Sequence, residues 1–465
     1  MNHLKARKEY RRQLNMTILK AAHFCLSFLL FFFFWLLFRY GELVFKGYGY
    51  RYNYFVTALY ALLLFFFNRS YNSYLFGYSR IRALVFAQFI SHLFALILTY
   101  LITAIAWKQW HSPLILLPLL LINLAMDVLF SYYGNAYYCR IYPAKRTIVV
   151  YRNKTDKRRL GSIKGKPIER LYKIEKELQF TGKHFDELKP ELKGFDAIFV
   201  AGIDSRVRNG ILKYCKEECV AGFFLPHVGD VIMREAMHIQ AFDSPVLYAG
   251  RTAIRPEYRV IKRVFDIVTS GAALILLSPL MLITAIAIKV YDGGPVFYKQ
   301  KRLTIDGKIF QIIKFRSMRV DAEKDGIARL STGENDPRIT RIGRIVRKCR
   351  LDELPQLINI LKGDMSVVGP RPERPEIAEK YYEKLPDFKL RLQVKAGLTG
   401  YAQVYGKYNT EPYEKLEFDL LYINDMNMLT DLKLCFATFG ILFKKESTEG
   451  VDVNQITAVD YDEMM

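Results

Sequence analysis

Four long apolar runs open the chain. They occupy approximately residues Thr17–Phe38, Tyr50–Phe67, Ala83–Trp107 and Pro113–Tyr133. A helix needs about 20 apolar residues to cross a bilayer, and three of the runs reach that length. The second run reaches it only if its tyrosine-rich start lies in the membrane interface. We therefore predict a membrane region of four helices over residues 1–136.

Basic residues beside these runs indicate their orientation, because Lys and Arg near span ends favour the cytoplasmic side. Five precede the first run: Lys5, Arg7, Lys8, Arg11 and Arg12. The second loop carries Arg69, Arg80 and Arg82, whereas the third has only Lys108. The first loop is also basic, which leaves the opposite orientation open. We expect a cytoplasmic N-terminus and, after four spans, a return to the cytoplasm.

Polar residues interrupt two of the runs. Gln88, Ser91 and His92 lie in the third, and Asn123 and Asp127 lie in the fourth. Ionisable groups inside spans are candidates for function, and hydrogen bonds between helices are the other explanation. Nothing else in the sequence converges on these residues, so we favour hydrogen bonds.

Short apolar runs alternate with amphipathic stretches over residues 137–250. The expected strands are Arg146–Tyr151, Ala197–Ala201, Gly222–Leu225 and Pro245–Tyr248. Helices are expected at Pro167–Leu178 and Arg206–Glu218. Such alternation predicts a parallel, Rossmann-like α/β domain. The first strand runs into Arg152-Asn153-Lys154 instead of G-x-G-x-x-G, so the dinucleotide fingerprint is absent.

A fifth apolar run, Val264–Val290, differs from the others because Ser278-Pro279 lies at its centre. Proline removes a backbone hydrogen bond and kinks or breaks a helix. Basic residues flank both ends of the run, and both flanks therefore favour the cytoplasmic side. We predict a re-entrant helix over residues 262–290. A proline-kinked span is the alternative.

The composition limits the classes of molecule that the protein is expected to bind. The formal net charge is +22, with 51% hydrophobic and 14% aromatic residues. Such charge suits nucleic acid, anionic lipid or phosphorylated substrates. No nucleic-acid recognition motif accompanies it, so we expect no nucleic-acid partner. Cys215 and Cys219 are too few for a zinc site, and reduced thiols are expected.

Residues 251–465 carry the remaining candidate chemistry. Arginines recur at three-residue intervals among apolar residues: Arg338, Arg341, Arg344, Arg347 and Arg350. This spacing predicts a helix with one cationic face and one apolar face, suited to anionic lipid. A helix with a solvated basic face is the alternative.

Asp352 and Glu353 follow at the predicted start of a helix over Pro355–Gly363. The helix dipole stabilises carboxylates there. We expect Arg347 and Arg350 to lower both pKa values further. An ionised aspartate can attack phosphorus, and an adjacent glutamate can hold Mg²⁺. Helix capping by the aspartate is the simpler explanation.

The segment Gly369-Pro370-Arg371-Pro372-Glu373 places one arginine between two prolines. Proline restricts the backbone on both sides. A guanidinium fixed in this way suits bidentate binding of phosphate. On its own, the segment is a turn with a charged tip.

Together these segments resemble the monotopic phosphoglycosyl transferases in their large bacterial form. The matching stretches are KRVFD (262–266), SP (278–279), GPVFYKQKR (294–302), KFRSM (314–318), DPRITRIGRIVRKCRLDELPQLINILKGDMSVVGPRPE (336–373) and KAGLTGYAQVYGK (395–407). Four spans followed by a degenerate α/β domain also resemble the large members that start O-antigen, capsule or exopolysaccharide assembly. The middle domain departs from the pattern, because it lacks glycines at its strand ends.

This resemblance implies an enzyme that transfers a sugar 1-phosphate from a UDP-sugar, most simply a UDP-hexose, to undecaprenyl phosphate. Asp352 would be the nucleophile that forms an aspartyl–phosphosugar intermediate and releases UMP. Glu353 would bind Mg²⁺. Arg347 and Arg371 would contact substrate phosphates or nucleotide.

The resemblance also implies a setting in the bacterial inner membrane, with the catalytic domain on the cytoplasmic face. Lys262 and Arg263 would meet the polyprenyl phosphate where the re-entrant helix enters the bilayer, and Ser278 and Pro279 would form its bend. A homodimer is implied as well.

Two other classes remain open from the sequence. A membrane glycosyltransferase would transfer the sugar without its phosphate and release UDP. A membrane scaffold or regulator of polysaccharide assembly would make residues 351–356 and 369–373 dispensable. The sugar itself is not specified.

Overall fold

The structure is a computed structural model that describes residues 2–39, 51–108, 110, 112–160, 167–234, 236–241, 244–250, 256–320, 322, 336–406 and 411–442. It forms two compact units, here called the first unit (Met1–Leu225) and the second unit (Pro226–Met465). This division falls earlier than the boundary at residue 250 that the sequence suggested. The first predicted loop, residues 40–50, lies outside the described residues.

The first unit opens with four helices, as the apolar runs predict. They are α1 (Asn2–Arg39), α2 (Arg51–Ser70), α3 (Ile81–Trp107) and α4 (Leu117–Ile141). In the described part of the chain, helices at Tyr10–Leu37, Ile81–Ala106 and Pro113–Ile141 are long and apolar enough to cross a membrane. The helix α2 is not among these, and its crossing stays a prediction.

Apolar side chains cover the outside of these helices, and polar side chains are buried inside together with other apolar ones. Leu37, Leu62 and Ile105 are more than 60% exposed, whereas His92 and Asp127 are fully buried. In water, apolar side chains would be favoured inside and polar ones outside. A lipid environment favours the observed arrangement, because apolar side chains on the outside can contact acyl chains. The distribution supports a membrane location for α1, α3 and α4.

A parallel sheet completes the first unit. Its strands and helices alternate as β1 (Lys145–Tyr151), α5 (Lys154–Leu160), β2 (Tyr172–Gln179), α6 (Phe185–Leu192), β3 (Ala197–Ala201), α7 (Ser205–Glu217) and β4 (Ala221–Phe224). The strand order is β2-β1-β3-β4, with every pair parallel. The parallel α/β prediction is confirmed, and a Rossmann-like classification stays a prediction.

One helix predicted in this domain is wrong. Most of Pro167–Leu178 is the strand β2, preceded by a 3₁₀ turn at Pro167–Arg170. Glu and Lys in the segment favour a helix locally. Pairing with β1 along its whole length overrides that preference, since tertiary context outweighs propensity.

The second unit begins with a short helix and a hairpin and continues into the predicted catalytic region. Its elements are α8 (Val228–Met233), β5 (Met237–Ala241), β6 (Ser244–Tyr248), α9 (Pro256–Asp292), β7 (Phe297–Leu303), β8 (Ile309–Phe315), α10 (Arg341–Lys348), α11 (Gln356–Lys362), β9 (Ser366–Val368), α12 (Pro375–Lys384), β10 (Gly397–Thr399), α13 (Tyr401–Tyr405), α14 (Pro412–Asn424) and α15 (Met428–Leu442). The predicted strand at Pro245–Tyr248 pairs antiparallel with β5 and is separate from the parallel sheet.

The basic helix is shorter than the arginine spacing predicts. It runs only from Arg341 to Lys348, after a Thr340 side chain that caps its start. Arg338 precedes it and pairs with Asp336 at 2.7 Å. That ion pair and the cap hold the chain before Arg341 in a turn. The three-residue arginine spacing therefore begins before the helix itself does.

The helix α9 is apolar enough to cross a membrane and continues through Pro279 without interruption. The sequence predicted that the helix would break at Ser278-Pro279, and the structure shows one continuous helix across these residues. The Ser278 hydroxyl donates to the Ile275 carbonyl at 2.8 Å. Pro279 cannot donate a backbone hydrogen bond to this carbonyl, because proline has no N–H. Ile275 and Leu276 beside it are 79% and 78% exposed, which suits contact with lipid.

Candidate active site

The two predicted catalytic carboxylates lie on a 3₁₀ turn, Leu351–Glu353, between α10 and α11. Arg350 precedes the turn in the left-handed region, with φ of 52°. That conformation costs a residue with a Cβ atom about 1–2 kcal/mol. Leu351 and Leu354 hold the turn by packing into a cluster with Phe315. Backbone strain maintained by surrounding packing is common at functional sites.

Glu353 is enclosed by cations. Its carboxylate pairs with Arg371 at 2.7 Å, with Lys314 at 3.7 Å and with Arg350 at 3.9 Å. Its side chain is only 14% exposed. Burial favours the neutral form, but the three cations outweigh it and lower the pKa of Glu353. Glu353 is therefore a fixed, ionised group.

Asp352 behaves differently from the sequence expectation. Burial and the negative charge of Glu353 raise its pKa, although Lys314, Arg347 and Arg371 oppose the change. The expectation that both carboxylates have lowered pKa values is therefore wrong for Asp352. The helix-start argument omitted burial and the repulsion between adjacent carboxylates, which are the two larger effects here.

Asp352 also has no hydrogen bond or ion pair within the part of the chain that the structure describes. Its side chain is half-buried, so it remains reachable. Arg347, whose charge acts on Asp352, has a buried Nη1 without a hydrogen-bond partner among the described residues. A carboxylate without a hydrogen bond and a guanidinium nitrogen without one therefore lie in one neighbourhood among the described residues.

The loop that carries Arg371 is held from several sides. The Gly397 N–H donates to the Pro370 carbonyl at 2.9 Å, and Arg302 donates to the Pro372 carbonyl at 3.0 Å. Gly369 and Gly397 approach so closely that a Cβ on Gly397 would lie 2.1 Å from the Gly369 nitrogen. The expected rigidity around Arg371 thus has a basis in tertiary contacts as well as in proline.

Arg391 contacts the loop that carries Arg371 and is itself buried. It is 2% exposed, donates to the Arg371 carbonyl at 2.7 Å and pairs with Asp419 at 2.7 Å. Glu373 links the same network to Lys415 at 3.0 Å. These contacts cross from the 3₁₀ segment Pro386–Gln393 to α14, so only the fold brings them together.

Sequence reasoning gave no role to Lys314, Arg302 or Arg391. The first two lie within the quoted stretches KFRSM and GPVFYKQKR. The sequence therefore marked Lys314 and Arg302 as part of the family resemblance but indicated no function for them. Arg391 stands outside those stretches, and no sequence pattern marked it.

Lys262 and Arg263 lie at the start of α9 and are engaged inside the second unit. The Lys262 Nζ pairs with Asp431 at 2.6 Å and donates to the Tyr422 hydroxyl at 3.1 Å. Arg263 donates to the carbonyls of Ile360 and Leu361 at 2.7 and 2.6 Å. It therefore satisfies carbonyls at the C-terminal end of α11. Their contact with a polyprenyl phosphate stays a prediction.

A cavity of about 1570 Å³ also lies in the second unit. Its lining includes Tyr248, Tyr258, Glu379 and Lys389, but neither of the paired carboxylates. The candidate chemistry therefore lies outside this cavity.

Comparison with known proteins adds to this geometry. Residues 257–445 match the family model described as "Bacterial sugar transferase". A UDP-glucose:undecaprenyl-phosphate glucose-1-phosphate transferase of Escherichia coli K12 is 41% identical over 199 residues, 42% of each chain. A UDP-N-acetylgalactosamine-undecaprenyl-phosphate N-acetylgalactosaminephosphotransferase of Aeromonas hydrophila is 40% identical over 39% of this chain and 44% of its own.

The exopolysaccharide production protein PSS of Rhizobium leguminosarum is 40% identical over 188 residues. The match covers 38% of this chain but 93% of that relative. For the other two relatives, the matched part spans less than half of their length. The family match lies within the second unit, and the candidate carboxylates lie inside the matched residues.

Proposed function

The chain belongs to the bacterial sugar transferase family, and on that basis we propose that it transfers a sugar 1-phosphate from a UDP-sugar to undecaprenyl phosphate. The observation that carries the proposal is the contrast between two adjacent carboxylates. Glu353 is held by Arg371, Lys314 and Arg350, while Asp352 accepts no hydrogen bond from any described residue. A nucleophile must be free to move onto phosphorus, whereas a binding group must be fixed.

In the first step, a carboxylate oxygen of Asp352 attacks the phosphorus that bears the sugar. A bond forms between that oxygen and phosphorus, and the bond from phosphorus to the UMP oxygen breaks. UMP leaves with the electron pair, and Asp352 then carries the sugar phosphate. Arg347 and Arg371 offer guanidinium groups for the charge on the phosphate oxygens.

In the second step, a phosphate oxygen of undecaprenyl phosphate attacks the same phosphorus. The bond between phosphorus and Asp352 breaks, the carboxylate is restored, and the product is an undecaprenyl diphosphate sugar. The attacking phosphate is already ionised, so neither step requires a general base. This agrees with the several cations that surround Asp352 and Glu353.

The residues fit a Mg²⁺ requirement. This ion binds oxygen, keeps several waters and takes one or two carboxylates together with substrate phosphates. The lowered pKa of Glu353 keeps one such carboxylate ionised, and Asp352 lies next to it. We propose that Glu353 holds the ion, which would neutralise charge on the substrate phosphates.

The contacts of α9 support a re-entrant path on one face of the bacterial inner membrane. Arg263, near its start, contacts α11, and Ile288, near its end, packs with Val346 of α10. A straight helix from Arg263 to Ile288 would be about 38 Å long at 1.5 Å per residue, which is enough to cross the roughly 30 Å of hydrocarbon. If α9 crossed the bilayer, these two residues would lie on opposite sides of it. Both residues instead contact elements of the second unit.

We propose a cytoplasmic location for the second unit, because nucleotide sugars are cytosolic. The names of the relatives extend the proposal to polysaccharide assembly, and they specify different sugars. A homodimer remains part of the proposal on family resemblance.

The test uses the purified full-length chain in detergent with undecaprenyl phosphate, Mg²⁺ and a panel of UDP-sugars. UMP should appear in equal amount to the lipid product, stop on chelation and return with added Mg²⁺. Release of UDP with a lipid product of one phosphate would favour a glycosyltransferase and overturn the proposal. No product with any sugar, together with normal polymer assembly in cells carrying Asp352→Asn, would indicate a scaffold.

A further inference from the structure

Two histidines and an aspartate meet inside the first unit. His23 of α1, His92 of α3 and Asp127 of α4 are each at most 2% exposed. One ligand atom from each lies within 4.8 Å of the other two. Sequence reasoning singled out His92 and Asp127 but missed His23, which lies in the first apolar run. We propose that these three side chains bind one divalent transition-metal ion, with Zn²⁺ as the best-suited ion.

The spacing fits a small metal polyhedron. The Asp127 Oδ1 lies 3.1 Å from the His23 Nε2 and 3.4 Å from the His92 Nε2. Ligands at about 2.0–2.1 Å from a tetrahedral zinc ion are separated from one another by roughly 3.3 Å. The two distances from the Asp127 oxygen are therefore close to those between neighbouring ligands around one ion.

Direct hydrogen bonds do not satisfy this cluster. His23 bonds to Asp127 Oδ1. The His92 Nε2 is close to the same oxygen but not aligned for a hydrogen bond, and it has no partner among the described residues. Asp127 Oδ2 is also buried and unpartnered there. Buried polar atoms are nearly always satisfied, and one cation would serve both atoms at once.

The other nitrogen of each imidazole has a tyrosine partner. The His23 Nδ1 lies 3.0 Å from the Tyr74 hydroxyl, and the His92 Nδ1 lies 3.0 Å from the Tyr60 hydroxyl. When Nδ1–H donates to these oxygens, each Nε2 carries a lone pair that can bind a metal ion. Metal-binding histidines usually have such an outer partner, which fixes the tautomer and the ring orientation.

The donor set selects the class of ion. Imidazole nitrogen with carboxylate oxygen suits zinc and other divalent transition metals, whereas Mg²⁺ and Ca²⁺ prefer oxygen alone. The ligands come from three separate helices, so the ion would tie α1, α3 and α4 together. This site is distinct from the Asp352 surface and does not depend on the proposed transfer reaction.

The experiment measures metal bound to the full-length chain, purified in detergent with a histidine-free tag and equilibrated with buffered Zn²⁺. Mass spectrometry of the elements should find one zinc per chain. His92→Gln and Asp127→Asn should lose it, and Tyr74→Phe should weaken binding by roughly 10- to 100-fold. The matched control is Ser131→Ala, which removes a buried hydrogen bond to Gln88 in the same bundle and should keep one zinc.

A second readout guards against variants that do not fold. The thermal unfolding midpoint of the unmodified chain should rise with Zn²⁺ and fall with a zinc-selective chelator. Wild-type protein without stoichiometric metal and without this shift would overturn the proposal and leave a buried ion pair. Full zinc binding by folded Asp127→Asn would overturn it as well, by locating the ion elsewhere.

Discussion

Arg371 and Glu353 form an ion pair of 2.7 Å although they lie 18 positions apart in the chain. The pair joins the proline-flanked loop to the turn that carries both candidate carboxylates. It fixes Glu353 and leaves its neighbour Asp352 unpaired within the described residues. Two adjacent residues of nearly the same chemistry thus acquire different roles through their surroundings.

This difference predicts the pH dependence of transfer. Asp352 must be ionised to attack, and burial with the charge of Glu353 raises its pKa. The kcat/KM should therefore fall, as pH is lowered, through a pKa above the ordinary range of aspartate. Glu353→Gln removes the repelling charge, so the acid limb of its residual activity should move to lower pH, by about one unit.

The measurement is a pH profile of UMP release at saturating Mg²⁺. Glu383→Gln, which changes an exposed glutamate of α12, serves as the matched control and should keep the wild-type profile. An acid limb that stays in place or moves to higher pH in Glu353→Gln would contradict the assignment of that limb to Asp352.

A second prediction concerns Arg391, which lies between Asp419 and the Arg371 carbonyl. Arg391→Met leaves Asp419 buried without this partner and should cost about 3–5 kcal/mol of stability. Adding Asp419→Asn should recover part of that loss. Turnover should remain roughly 10- to 100-fold low in the double variant, because the Arg371 loop still lacks its support.

Thermal unfolding and kcat, measured on the same preparations, separate these two effects. Lys389→Met removes an exposed cation from the same 3₁₀ segment and should change neither. Recovery of stability and turnover together in the double variant would mean that Arg391 acts on stability alone.

Much of the membrane and motif organisation follows from the sequence, because long apolar runs and dense charge are local signals. Three of the four N-terminal runs form helices apolar enough to span a membrane. The strand β2 was not predictable in this way, because its partner β1 and not its own composition determines its conformation. Arg391 and His23 escaped for a related reason: their partners lie 28 and 104 positions away in sequence.

The third prediction is that the second unit carries the chemistry. A chain that starts at Tyr258 should retain transfer in detergent, since a relative matched over 93% of its length contains little else. A chain that starts at Pro226 should be more stable by roughly 3 kcal/mol, because α8 buries Val228 and Val231 in the second unit's core. Activity and thermal unfolding of both chains test this. A folded, membrane-bound but inactive pair would show that the first unit contributes to chemistry.

The fourth prediction is topological. Single cysteines at Glu257, in the first turn of α9, and at Lys308, beyond its end, occupy exposed positions. Both should resist an impermeant thiol reagent in intact cells when the native cysteines are replaced. Both should react once the membrane is opened. Trp110→Cys, in the predicted external loop, is the accessible control. Reaction at 308 but not at 257 in intact cells would make α9 a true span and remove the cytoplasmic site.

We propose that Asp352 carries the sugar phosphate between the two substrates. The most direct measurement is mass spectrometry of the purified chain after incubation with Mg²⁺ and the UDP-sugar that supports turnover, without undecaprenyl phosphate. We predict that the peptide containing Asp352 gains the mass of one sugar phosphate and loses it when undecaprenyl phosphate is added. Asp352→Asn should give neither adduct nor product, while Asp387→Asn, at an exposed site, should give both. Wild-type turnover by Asp352→Asn, or an adduct on another residue, would show that Asp352 is not the nucleophile.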